Sequence, residues 1–413
     1  MRETATLSGL VDGLRRDKRR GPYAGHREYV HTAWAVHEEA GRLVDAGHAA
    51  LVAPELRKAV ERITTALMYL DDSSGMAGDV LRELTGMYAR ALTAAPPKNP
   101  KTLANWIAKT VFDGPGWPDI RLADFAAALG DVGQAHLADM VDTRAADVAP
   151  KDSWGTVYGV RHLREQLAEV SGDTDQYVAV LAKFLTGPDQ YVKIVRALRA
   201  ANRPEEATDW ARQGVAAHPG NPYLPKLNDE LVDLLISAGR HEEALAVHRD
   251  AFARTTVLAA FQPLAGTASE LESPDTVTWA LDLLRTRVAE NPAYVRELIS
   301  CLRAAGRSEE AWQTAVGHLG ELSKYTLQEL IEERRTTHPA DTITPYRRLV
   351  DLYLAETGNK YRYQYAVRHL KTLRTIHREQ GTEAEFAAYL TILRDEHRRK
   401  TSFLTRLDQA DLT

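Results

Sequence analysis

The chain has 413 residues, 44% hydrophobic and 26% charged, which is an ordinary globular composition and longer than one compact core usually serves. Fifty-two basic against 57 acidic side chains leave a net charge of −5, so no global field calls for nucleic acid or anionic lipid. No apolar run reaches the roughly 18 residues of a membrane span, and the first twenty residues lack the apolar stretch of a secretory signal. The single cysteine, Cys301, excludes an internal disulfide and a multi-cysteine zinc site, and a reducing cytoplasm is the expected compartment.

Residues 1–25 read as a basic N-terminal arm. Its run RRDKRR places Arg15, Arg16, Lys18, Arg19 and Arg20 ahead of the first marked helix, where an arm could meet phosphates or an acidic partner. A solvated leader accounts for the same run.

Residues 26–149 read as an N-terminal helical-hairpin domain. Two long apolar-periodic segments, 26–46 and 50–70, are broken by Gly47. A third spans 76–93 and ends at TAAPPKNP, a fourth spans 100–112, and shorter helices continue to about 148, where DVAPKDSWG marks a boundary. The polar loop DDSSGMAGD, 71–79, puts Asp72 and Glu83 at positions one and twelve of a calcium loop. Met76 and Ala77 then occupy positions five and six, where an oxygen ligand and a turning glycine belong. The loop is therefore read as a helix connector turned at Gly75. In the loop DGPGWPD, Trp117 reads as a plug over a hairpin end, with an anchor for a protein partner as the alternative.

Residues 150–340 carry a repeated phrase: LRAANRPEEA at 198–207, LISAGRHEEA at 235–244 and LRAAGRSEEA at 302–311. Each copy reads as a helix end, a tight turn and a helix start. Asn202, Gly239 and Gly306 stand where a helix stops in the left-handed conformation. Pro204, His241 and Ser308 open the next helix, with Ser308 as an N-cap. The paired acids that follow meet the positive end of the helix dipole, and Ala207, Ala244 and Ala311 allow close helix approach. Pro188, Pro222 and Pro292 precede the upstream helices at intervals near one and two periods of about 34 residues, the tetratricopeptide period. Pro274 is read as opening a degenerate unit in the longer gap.

Residues 341–413 form a C-terminal helical cap. Tyr363, Ala366, Leu370 and Leu373 share one face, as do Phe386, Leu390, Leu393 and His397. Packing is the account given to Tyr361, Tyr363 and Tyr365 of YRYQY, although such an aromatic-basic run can also stack bases. The basic run 396–400 completes a helix that begins with acids and needs no ligand. No H-E-x-x-H, G-x-S-x-G, P-loop or complete dinucleotide fingerprint occurs, so no cofactor and no metal is expected. The pair His241 and His248 is read as surface or packing histidine.

With no alternating apolar segment of strand type, the fold class is all-α, a helical-hairpin, tetratricopeptide-like solenoid. The segments REYVHTAWAVHEEAGRLVDAGHAALVAPELRKAVERITTALMYLDDSSGMAGDVLREL, LADFAAALGDVGQAHL and YAVRHLKTLRTIHREQGTEAEFAAYLTILRDEHRRKTSFLTRLD resemble the helical region of bacterial SWIM zinc-finger proteins. The finger itself needs C-x-C followed by C-x-H, which one cysteine cannot supply. The resemblance therefore implies the helical portion alone, with no functional residues transferred. The expected function is a non-catalytic interaction scaffold that binds a protein or peptide in a solenoid groove. Two alternatives stand beside it: a nucleic-acid-associated accessory of a SWIM-type or other DNA-binding partner, and an enzyme whose site is assembled between helices.

Overall fold

The computed structural model describes residues 3–15, 25–147 and 154–412, and every regular element among them is helical. The fold is all-α, built from antiparallel helical hairpins in the tetratricopeptide manner. The chain forms two compact units, Met1–Ala207 and Thr208–Thr413.

The first unit contains α1 (Glu3–Gly13), α2 (His26–Asp45), α3 (Ala49–Leu67), α4 (Met76–Ala94), α5 (Pro100–Asp113), α6 (Leu122–Asp147), α7 (Trp154–Val170), α8 (Thr174–Ala182) and α9 (Pro188–Ala200). Helices α1 to α4 pack each on the next and on the next but one, and α5 to α7 repeat that pattern. This neighbour-only packing is what makes a stack of hairpins rather than a globule. The core is aliphatic between α2 and α4, through Leu43, Leu56, Ile63 and Leu84. It turns aromatic where α4, α5 and α6 meet: Tyr88, Trp106 and Phe125 sit edge-on or tilted, with ring centroids 5.2–6.0 Å apart. Helix α6 is kinked at Gly130, whose φ of 50° and ψ of −174° leave helical space.

The sequence reading did not find α1. Leu7, Val11 and Leu14 are fully buried, and α1 packs against α2 and α3. Their spacing of four and three residues is a helical stripe that the poor helix formers of ETATLSGLVDG conceal.

Helix α10 (Pro204–Ala217) carries the boundary between units within it. The second unit continues with α11 (Leu224–Ser237), α12 (His241–Thr255), α13 (Leu258–Glu270), α14 (Pro274–Glu290), α15 (Val295–Ala304), α16 (Ser308–Gly317), α17 (Lys324–Arg335), α18 (Ile343–Ala355), α19 (Arg362–Glu379), α20 (Glu383–Glu396) and α21 (Thr401–Asp408). Short 3-10 turns at Pro292–Tyr294 and Pro339–Thr342 lead into α15 and α18. One apolar cluster runs from Phe252 and Phe261 through Leu302 and Leu349 to Leu370 and Phe403.

The three copies of the repeated phrase adopt one geometry. The amide of Arg203, Arg240 or Arg307 donates to the carbonyl five residues earlier, in the last turn of the preceding helix, that of Leu198, Leu235 or Leu302, each at 2.8 Å. The residue before it, Asn202, Gly239 or Gly306, has φ of 57°, 71° and 71° and closes the inner bond of a Schellman motif. Ala207, Ala244 and Ala311 are buried at the helix crossings.

Two details differ from the sequence reading. Arg307, not Ser308, holds the N-cap position of α16, and no side chain caps that end by hydrogen bonding. The arginine instead reaches forward to the second acid of the pair. Arg203 grips Glu206 through two bonds of 2.7 Å, Arg240 grips Glu243 at 2.7 and 2.8 Å, and Arg307 meets Glu310 at 2.6 Å. The phrase is thus a turn with its own charge clasp, and the acids serve the clasp as well as the dipole. Second, Pro274 opens α14, the second helix of its hairpin; the first is α13, which starts at Leu258 after a β-branched Val257 in extended conformation.

Candidate functional site

The site is built on the C-terminal half of α3, where the two irregular loops of the sequence come together. Asp72, in the loop after α3, accepts hydrogen bonds from the amides of Ala77 at 3.0 Å and Gly78 at 2.8 Å, so its carboxylate caps α4. Gly75 turns the chain with φ of 75°, which only glycine adopts without strain. His26, at the start of α2, has Nε2 3.2 Å from Asp72 Oδ1, the oxygen that also accepts from Ala77, and pins the loop to α2. Asp72 is therefore spoken for by two amides and an imidazole, which fits the connector reading of DDSSGMAGD.

The second loop, between α5 and α6, carries Trp117 on a cis peptide bond to Pro118. Trp117 Nε1 donates to the Thr64 carbonyl of α3 across 3.4 Å, and the side chain stays 38% exposed. Beyond Pro118, Ile120 is buried, and its carbonyl accepts from Gln166 Nε2 at 2.8 Å, anchoring the loop to α7. Asp119 stays on the rim, 3.7 Å from His162.

Between the two loops lies a cavity of about 420 Å³, walled by Leu67, Leu70, Leu81, Trp117 and Pro118, with Asp72, Arg82 and Asp119 at its edge. Trp117 stands at the mouth and does not fill the space. The adjoining turn also exposes Met68, Tyr69 and Met76. An apolar pocket with a few charged groups on its rim is the usual form of a site that receives an apolar side chain.

Of the basic residues singled out from sequence, Arg15 follows α1, is exposed, and lies 3.4 Å from Asp12. Asp12 also accepts from Arg62 of α3 at 2.9 Å, an interaction that holds its carboxyl below the usual carboxylate range. Arg15 borders a shallow hollow with Lys58, Arg62 and Tyr69. Arg15 and Trp117 thus flank opposite sides of the same stretch of α3. Arg16, Lys18, Arg19 and Arg20 lie outside the described residues.

The histidines have separate settings. His241 is exposed, whereas His248 is buried, with Nδ1 3.1 Å from Thr267 Oγ1 and Nε2 3.4 Å from Asp229. His369 is enclosed by Tyr346 and Tyr353, and burial depresses it from the ordinary histidine value to about 4. Among the described residues, no group of three His, Cys, Asp or Glu side chains is placed to hold a metal. Cys301 is buried, and burial pushes its thiol up to about 12, far from thiolate reactivity. Among the described residues no helix is long and apolar enough to cross a membrane.

The tyrosines of YRYQY divide. Tyr363 packs on Phe403, and Tyr365 is half-buried against Tyr353. Tyr361 is 48% exposed, so packing does not account for it. It precedes the first turn of α19, off the buried stripe that Tyr363, Ala366 and Leu370 define.

A model for a family described as "Family of unknown function (DUF6880)" matches residues 58–406. No curated protein matches. Among solved structures, the chain is similar to a Naa15/Naa10 complex bound to HypK-THB, with 15% identity, 91% of this chain and 68% of that one covered, and a TM-score of 0.30. It is also similar to the tetratricopeptide domain of P58(IPK), with 13% identity, coverage of 91% and 98%, and a TM-score of 0.21. A human IFIT1 dimer with m7Gppp-AAAA gives 12% identity, coverage of 94% and 93%, and a TM-score of 0.22.

Proposed function

The chain belongs to the DUF6880 family of unknown function, and from that premise we propose that it is a non-catalytic scaffold that binds a peptide segment of a protein partner at the Trp117 cavity. The observation that supports this reading is the apolar hollow between the α3–α4 and α5–α6 loops. It is open to solvent, has an exposed tryptophan at its mouth, and its volume of about 420 Å³ suits one or two large side chains. Tryptophan beside such a pocket is the residue type that most often dominates a binding interface. The rim carries Asp72 and Asp119 against Arg82, and Arg82 already lies 3.0 Å from Asp79. A ligand with an apolar anchor beside a basic residue fits that balance.

Selection from a displayed random-peptide library, followed by titration of the winning peptides, tests the reading. Trp117→Ala should weaken those peptides at least about thirtyfold, the loss typical of an aromatic hot spot. The variant should keep the parent circular dichroism spectrum, because the ring is partly exposed and makes one long hydrogen bond. Peptides that bind parent and variant alike would place recognition elsewhere. The likeness to the helical part of SWIM zinc-finger proteins adds a finger-bearing chain to the partners worth trying.

A further inference from the structure

The last helices of the second unit carry charge that the rest of the chain does not. Residues 343–413 hold thirteen basic and nine acidic side chains in a protein whose total is −5. Among the described residues, only Arg394 and Arg398 of those thirteen reach a carboxylate within ion-pair distance. Arg348 and Arg374 are occupied by backbone carbonyls, of Leu319 and Gly320 and of Asp411. On α19, Arg368, Lys371 and Arg378 are exposed, follow one another at helical spacing along one face, and have no carboxylate partner. Over ten residues that face presents three cations along about 15 Å of helix.

Beside the cations stands a run of aromatic rings. Tyr325, 72% exposed, lies under Lys324 Nζ, 5.0 Å from the ring centre, and the same ammonium sits 5.3 Å from Tyr353. Tyr353 meets Tyr365 at 5.3 Å, and Tyr365 meets Tyr361 at 6.4 Å. Arg368 lies 5.7 Å from the Tyr365 ring and Lys360 4.9 Å from Tyr361. Of the neighbouring carboxylates, Glu356 is taken by Lys324 and Asn359, while Glu332, Glu379, Glu383 and Asp411 keep their charge, the last two bordering the same hollow as Arg378; among the described residues none of these lies within ion-pair distance of Arg368, Lys371 or Arg378.

We propose that this face, from Tyr325 and Tyr361 along α19 to Arg378, binds single-stranded nucleic acid. The two exposed tyrosines stack bases, and Lys360, Arg368, Lys371 and Arg378 meet phosphates. Unpaired cations alone would suit any polyanion. The exposed rings interleaved with them are the added feature, because they offer π-faces that a base can use and an acidic peptide cannot. Stacking needs bases free of a duplex, so the ligand is single-stranded. The proposal does not depend on the peptide reading, which concerns the other unit.

Fluorescence anisotropy with labelled oligo-dT and oligo-rU, each longer than roughly 16 nucleotides, tests it on the full chain. Four phosphate contacts give a slope of about −3 in log affinity against log salt, or about a 50-fold loss between about 50 and 200 mM. Replacing Arg368, Lys371 and Arg378 by glutamate should flatten that slope to about −1. Tyr325→Ala with Tyr361→Ala should weaken binding at least about tenfold and leave the slope unchanged. A preference between the two oligomers would show whether the sugar is read. No binding at the lower salt would overturn the proposal. So would tyrosine variants of parental affinity, equal competition by poly-glutamate, or tighter binding of a duplex of the same length. Both tyrosines are exposed, so a lost signal with an unchanged circular dichroism spectrum reports the surface and not the fold.

Discussion

Gly306 and Asn202 hold the same place in two copies of one turn, with φ of 71° and 57°. A methyl group added at Gly306 meets no atom within 4 Å, so alanine there is opposed by backbone conformation alone. Gly306→Ala is expected to cost about 1 kcal/mol, and Asn202→Gly to be neutral or to stabilise by a few tenths. Opposite shifts of the urea midpoint at unchanged slope would show this. The left-handed residues were legible in the sequence because Gly and Asn are the types that tolerate the conformation. The arginine clasp was not, since RPEE, RHEE and RSEE read equally well as acids placed for a dipole. Only the distances from Arg203, Arg240 and Arg307 to the second acid separate the two roles.

His369 gives a second prediction at this scale. Desolvation between Tyr346 and Tyr353 lowers it to about 4; Arg368 pushes the same way, and Glu332 opposes. The unfolded chain takes up a proton near pH 6.5, and the folded chain resists until about 4. Stability from this group is therefore full above 6.5, falls as pH drops between 6.5 and 4, and levels below, by about 3 kcal/mol in all. His377 and His397, also lowered by burial, act with the same sign. Denaturant midpoints at pH 7 and pH 5 should differ less in His369→Phe than in the parent.

At the scale of elements, α1 shows what periodicity can hide. Its buried stripe is three residues long and set among glycines and threonines, so propensity argued against a helix that docking on α2 and α3 secures. Val11→Ala is expected to destabilise the first unit by about 2 kcal/mol, as for other large-to-small changes in a packed core. An equal effect from the exposed Asp12→Ala would show that the ion pairs with Arg15 and Arg62, and not the apolar stripe, hold the helix. The candidate pocket was invisible for another reason. Its walls come from α3, α4 and the loop after α5, and residues 67 and 117 meet only because the hairpins pack on one another. Trp117 could be flagged from sequence as an oddly placed aromatic. What it faces could not.

Across the whole chain, helix content, the hairpin plan and most element boundaries were readable, because three-to-four periodicity and turn chemistry are local signals. The slip at Pro274 came from counting prolines instead of helices. Val257 opens its hairpin through an extended backbone and leaves no proline to count. The net charge of −5 also concealed a basic C-terminal stretch, and a sum over 413 residues has no means of showing where charge collects.

The joint that ends in Arg203, Arg240 and Arg307 is closed by bonds between residues a few positions apart, and in each copy a residue of the helix before its hairpin, Asp175, Arg212 or Arg285, pairs with its clasp. The local bonds shape the turn, and the remote pair ties it to the helix before its hairpin and no farther. Adding or deleting one joint with its two rods would disturb only the contacts of the modules on either side, so length is a property that such a lineage can change in single steps.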